Sequence, residues 1–174
     1  MTIQELENCM EQFGDSLYSF CRKLCMDQEQ AEELYQDVWV KALTDMPRIR
    51  AEDNVKSYLL SIAVGIWKNR KKKYAVRQRI APAVAITEEM TEVLSDNRDA
   101  TVEEILLKER KQAVLEAVNG LEDTYRIPVL LFYMEEQSVK EIAHALHLPY
   151  GTVKRRLWVA RNKLSNELEG YIDE

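Results

Sequence analysis

Three groups of side chains in this sequence have the types and spacing to do chemistry. Cys21 and Cys25 stand four residues apart and His144 and His147 three apart. At such spacings two ligands meet on one turn of chain and could hold zinc. A second group is basic and aromatic: Lys154, Arg155, Arg156, Arg161 and Lys163 surround Trp158, with no acidic residue between Ile142 and Asn166. The third is residues 61–80, where seven Lys and Arg side chains occur without one Asp or Glu. Cationic groups gathered in this way bind polyanions, and the arginine fork can also read guanine. The whole chain has a net charge of −6. Two compact basic patches in an acidic chain are a stronger sign of a polyanion contact than a uniformly high pI would be.

The thiols have a competing explanation. All three cysteines, Cys9, Cys21 and Cys25, fall within the first 25 residues. An odd number, in a chain that opens without a secretion signal, argues against a disulfide framework. Cys21 also belongs to an apolar helical pattern with Leu17, Phe20 and Leu24, where a free cysteine acts as a small buried hydrophobe. Core packing outweighs metal binding, so no metal site and no cofactor is assigned.

These groups need elements to position them. The chain has 174 residues, 46% hydrophobic and 31% charged, with only 5 Gly and 4 Pro, a composition that suits helices. No apolar run approaches membrane-spanning length, and "MTIQELENCM" lacks the basic-then-apolar pattern of a signal peptide, so a cytoplasmic protein without membrane insertion is expected. Apolar residues recur every three or four positions from Leu6 through Met10, Phe13, Leu17, Phe20 and Leu24, which predicts a first helix. A second starts after Asp27, whose carboxylate can cap it, and Pro47 stops it. A third begins near Asn54 with Leu59, Ile62, Ala63 and Ile66 inward.

From 81 to 104 the pattern fades, with seven acidic residues against one Arg. Such a stretch buries too little apolar surface to offset its ordering entropy and reads as a flexible acidic linker. The expected fold is therefore all-α, with two small helical domains: residues 1–80 and 105–174, joined by a linker over 81–104. The second domain opens with a helix from about Val102, carrying Ile105, Leu106, Ala113, Val114, Ala117 and Val118 inward, with Gly120 as its stop.

The C-terminal segments are the most specific. Ser138 and Glu141 form a capping box ahead of a short helix with Val139, Ile142, Ala143 and Leu146 inward. In "HLP", His147 occupies a turn position that wants positive φ, and Pro149 forbids continuation of the helix. The next helix places Val153, Leu157, Ala160 and Leu164 on one face. Short helix, tight turn and basic second helix make a helix-turn-helix, whose second helix enters the DNA major groove. Thr152, Lys154, Arg155, Trp158 and Arg161 are the candidates to meet base edges and phosphates.

"SVKEIAHALHLPYGTVKRRLWVARNKL" resembles region 4 of the extracytoplasmic-function (ECF) group of sigma-70-type sigma factors, with the family's G-T-V-K-x-R-L core at Gly151 to Leu157 and its A-R-x-K-L end at Ala160 to Leu164. "QAEELYQDVWVKAL" is similar to the family's region 2 helix, and "SYLLSIAVGIWKNRKKK" resembles the segment that follows it. The resemblance implies that the chain is not an enzyme but an initiation factor for bacterial core RNA polymerase, with promoter DNA and an anti-sigma factor as further partners. It implies that Glu29, Glu33, Gln36, Asp37 and Val40, which share one helical face, dock on the core. It also implies that Gly65, Lys68, Asn69, Arg70, Lys72 and Lys73 hold the melted −10 strand, while the helix-turn-helix reads the −35 element. Departures from the family pattern, Gly65 for a usual Asn, His147 for a usual Gly, Arg155 for a usual Ser and Val159 at an often basic position, bear on which promoter sequence is read.

Two other readings compete. A homodimeric helix-turn-helix regulator would bind operator DNA without polymerase, and a redox or zinc switch would use Cys9, Cys21 and Cys25.

Overall fold

The structure, a computed structural model, describes residues 1–49, 54–80 and 101–169. Within them lie seven α-helices: α1 (Ile3–Cys25), α2 (Gln28–Asp45), α3 (Val55–Ile80), α4 (Val102–Gly120), α5 (Asp123–Val129), α6 (Val139–Leu146) and α7 (Tyr150–Glu167). The all-α expectation holds. Residues 81–100, most of the expected acidic linker, lie outside the described residues.

Local chemistry sets the helix ends. Thr2 and Glu5 form a capping box on α1, with the Thr2 N–H donating to the Glu5 carboxylate at 2.7 Å. The Asp27 carboxylate accepts the Gln30 N–H at 2.7 Å and opens α2 where the sequence predicts it. Asn54 does the same for α3, accepting from the Ser57 N–H at 3.0 Å. Thr101 with Glu104 caps α4, so the last three residues of the sequence-defined linker are already helical. Ser138 with Glu141 caps α6, as expected. His147 ends that helix in the left-handed region at φ 53°, ψ 45°. Its Cβ makes that conformation costlier than it would be for glycine.

The first three helices pack together through Leu17, Phe20 and Leu24 of α1, Ala31, Leu34 and Val38 of α2, and Leu59 and Ala63 of α3. Cys21 is fully buried among them, as an apolar filler should be. Met10, expected inward, is 41% exposed. In α3 more is buried than one inward stripe: Leu60, Val64 and Trp67 are also covered. The reason is that α3 packs on two sides, against α1 and α2 and against α6 of the second half. The two halves thus share one continuous apolar core.

In the second half α5, α6 and α7 pack together. Pro128 lies inside α5 and the chain then widens into a π-helical turn, Leu130–Met134, closed by the Glu135 N–H on the Leu130 carbonyl at 3.2 Å. The expectation for α4 needs correction. Of its apolar residues only Ala117 is buried, while Ile105, Leu106 and Val114 are exposed. Among the described residues only α5 and α7 pack on α4 to any extent. Periodicity predicts an apolar face, but burial needs a second surface to cover it.

Candidate nucleic-acid and protein interfaces

The helix-turn-helix is built by the capping box of α6, the left-handed His147 and Pro149, the cap residue from which α7 starts. Val153, Leu157 and Ala160 anchor α7 in the core and Leu164 is half-buried, so the opposite face is turned outward. Lys154, Arg155 and Arg161 are exposed, Trp158 is 62% exposed and Thr152 is half-buried. An indole left in water among cations forfeits its burial energy unless a partner covers it. Tyr150, also exposed, lies under the Lys154 ammonium, with Nζ 6.0 Å from the ring centroid. The sequence reading missed Tyr150, although its i, i+4 spacing from Lys154 was visible.

Not every cation of α7 faces outward. Arg156 is half-buried and close enough to Lys68 of α3 to lower that ammonium's pKa, which loss of water lowers most. Lys163 covers the ring of Tyr125 at 5.3 Å. The basic side of α7 therefore divides into an outward strip and a strip that faces the body of the protein.

On α2, Glu29, Glu33, Gln36, Asp37 and Val40 are all exposed, as their shared face requires. Val40 is 63% exposed, and Leu43, one turn on and not singled out by the sequence reading, is 51% exposed. Two apolar side chains beside three carboxylates make a surface suited to a basic partner with an apolar spot.

Gly65, Lys68, Asn69, Lys72 and Lys73 lie on exposed positions of α3, whereas Arg70 is half-buried. A Cβ added at Gly65 would meet nothing within 4 Å, so packing does not demand glycine there. Arg70 points to α2, where its guanidinium pairs with Asp37 at 2.6 Å and Glu33 at 3.5 Å. The structure thus joins one residue of the expected −10 group to two of the expected core-binding group. No local spacing could have shown this, since the partners are more than thirty residues apart. Trp67 is buried, with the Lys71 ammonium 4.8 Å and the Arg126 guanidinium 5.7 Å from its ring.

Burial pushes the Cys21 thiol up to about 12 and the Cys25 thiol up to about 11, away from the thiolate that metal binding or oxidation needs. Among the described residues, no three His, Cys, Asp or Glu are placed to share a metal ion. Nor is any helix among them long and apolar enough to cross a membrane.

Comparison with known proteins finds one family match in each half of the chain. Residues 9–77 match the family described as Sigma-70 region 2, and residues 111–164 match Sigma-70, region 4. The ECF RNA polymerase sigma factor SigW of Bacillus subtilis is 27% identical over 158 residues, covering 90% of this chain and 84% of that protein. The ECF RNA polymerase sigma-E factor of Escherichia coli K12 is 25% identical over 142 residues, covering 80% of this chain and 74% of that one. The fold is shared with the sigma factor RpoE of Bartonella quintana, solved with the anti-sigma factor NepR, at a TM-score of 0.79 and 20% identity over 99% of this chain and 100% of that one. CnrH, solved with the cytosolic domain of CnrY, gives a TM-score of 0.66 at 17% identity over 99% and 92% of the two chains.

Proposed function

This chain belongs to the ECF group of the sigma-70 family, and from that premise we propose that it is a transcription initiation factor. It binds core RNA polymerase in the cytoplasm, directs it to promoters through −10 and −35 elements, and leaves phosphoryl-transfer chemistry to the polymerase. The observation that carries the reading is the order of parts: a region 2 match over 9–77, then a region 4 match over 111–164 that contains an outward, basic and aromatic α7.

The exposed surfaces support a division of labour. Residues 1–80 form the core-binding and −10 unit, 105–174 the −35 unit, and 81–104 the link. Glu29, Glu33, Gln36, Asp37 and Val40 offer the core a mixed acidic and apolar face, which Leu43 extends. Gly65, Lys68, Asn69, Arg70, Lys72 and Lys73 line the −10 strand, where ammonium groups hold phosphates and the bare Gly65 backbone permits close approach. On the −35 duplex, Lys154, Arg155, Trp158 and Arg161 reach outward from a helix whose start, with Thr152, enters the groove. The partners are core polymerase, promoter DNA and an anti-sigma factor that covers these faces. Two fold neighbours were solved with partners of their own, NepR and CnrY.

Mixing the purified chain with bacterial core polymerase tests the reading. Co-elution on gel filtration and run-off transcripts from a promoter library are expected. A chain that binds duplex operator tightly alone, and never co-elutes with core, is the homodimeric regulator instead.

A further inference from the structure

The outward side of α7 is not uniform. Val153, Leu157 and Ala160 are buried and Leu164 is half-buried, each about one turn after the last. Gly151, Arg155, Trp158 and Asn162 repeat that spacing two residues earlier, and at about 3.6 residues per turn two residues rotate the face by roughly 200°. These four therefore crown the side opposite the core, and all are exposed. One flank of the crown carries Tyr150, Lys154 and Arg161, each exposed, whereas Thr152, Arg156 and Val159 on the other flank are half-buried. Tyr150, the first residue of α7, is 49% exposed.

A helix about 10–12 Å across fills a major groove about 12 Å wide, so its crown meets base edges while its flanks meet the two sugar–phosphate walls. In that geometry Arg155 and Trp158 face the bases, and Lys154 and Arg161 face one wall. Tyr150 shares the wall but brings no charge to it. Instead it supplies a ring one turn before Lys154, whose ammonium lies 6.0 Å from the ring centroid. Cation–π attraction reaches to about 6 Å, so the ring biases the flexible lysine stem toward the start of α7 without burying its charge. No Asp or Glu stands between Ile142 and Asn166 to compete for the ammonium. A lysine that already leans this way loses less side-chain freedom when it meets a phosphate.

We infer that Tyr150 is a positioning residue for −35 recognition: its ring holds Lys154 ready for a backbone phosphate on the groove wall beside the start of α7. That role rests on the sigma-factor reading, and it separates Lys154, which grips the backbone, from Arg155, which reads a base. A tyrosine that merely sat in solvent at this position would be replaceable by any side chain that keeps the helix.

The test compares holoenzymes reconstituted from bacterial core polymerase and the full-length chain as wild type, Tyr150→Phe, Tyr150→Leu, Lys154→Ala and the double variant Tyr150→Leu, Lys154→Ala. Each is titrated over a range of salt on a promoter duplex selected by wild-type run-off transcription, with helix content followed by circular dichroism. Tyr150→Phe keeps the ring and should bind as the wild type does, while Tyr150→Leu should bind about threefold more weakly. Lys154→Ala removes a phosphate contact and should reduce the salt dependence of log K by about 0.9, whereas Tyr150→Leu keeps the charge and should leave it unchanged. In the Lys154→Ala background the leucine should weaken binding no further, because the two residues act as one contact. Should Tyr150→Leu lose helix, Tyr150→Met carries the same comparison. A leucine variant as tight as wild type, a phenylalanine variant as weak as the leucine one, a full leucine effect without Lys154, or an unchanged salt dependence in Lys154→Ala overturns this role for Tyr150. A wild-type chain that binds no core, or whose holoenzyme ignores changes in the −35 sequence, overturns the sigma-factor reading itself, and the role falls with it.

Discussion

At the scale of single residues, the structure separates the consequences of two of the four departures from the family pattern, His147 and Gly65. His147 stands in the left-handed region at φ 53°, where a Cβ is strained. His147→Gly should therefore stabilise the chain by about 1 kcal/mol, raising the thermal midpoint by about 2–4 °C for a protein of this length. A midpoint unchanged or lowered in calorimetry would mean that the imidazole makes up for the strain elsewhere. Gly65 differs in kind, because open space surrounds the position of its missing Cβ. A side chain there would meet no packing obstacle within the protein. Both departures were legible as residue types, but only the backbone angle at one and the empty volume at the other told structural strain from exposed surface.

The helix is the scale at which the candidate surfaces exist. Helical spacing alone put Glu29, Glu33, Gln36, Asp37 and Val40 on one side of α2, and each is exposed. The ion pairs from Arg70 to Asp37 and Glu33 were not legible, because they join helices across a packing interface. Exposed pairs of this sort contribute little stability, ~0–1 kcal/mol, so they leave the carboxylates available to a partner. Glu33→Arg and Asp37→Arg should each lower core affinity about tenfold or more, since a like charge then faces a basic surface. Arg70→Ala serves as the control that removes the pairs without reversing the face, and equal losses in all three would reassign the effect to the packing of α2 on α3. On α7, Lys154→Ala and Arg155→Ala should weaken −35 duplex binding by the holoenzyme. If the side chain grips a phosphate, its removal should reduce the salt dependence of log K by about 0.9. If it reads a base, its removal should relax sequence preference and leave the slope unchanged. Titrating holoenzyme binding against salt on matched and mismatched −35 sequences distinguishes the two.

For the molecule as a whole, the halves share one apolar core that is flanked by buried charges at Arg126 and Glu135. Burial tends to raise the Asp123 carboxyl, but hydrogen bonds from Lys71 and Arg126 outweigh it and hold the group below its usual value. A carboxyl depressed in the folded state stabilises above its unfolded pKa, near ~4, and loses that contribution as pH falls through the lower folded value. Asp45 and Glu141, held low by Lys41 with Tyr58 and by Ser138 respectively, act in the same direction. The thermal midpoint should thus fall steadily below about pH 4, and the Asp123→Asn variant should lose less over that range. Equal acid sensitivity in both proteins would show that Asp123 contributes nothing to the effect. What the sequence determined by itself was local: caps at Asp27 and Ser138, the turn at His147 and Pro149, helical faces, and two basic patches in an acidic chain, all set by neighbours within one or two turns. What only tertiary structure decided was which faces meet. It covered Leu60 and Trp67, left Ile105 and Leu106 bare, and drove Arg126 into the end of α1, because burial belongs to pairs of surfaces that lie far apart in sequence.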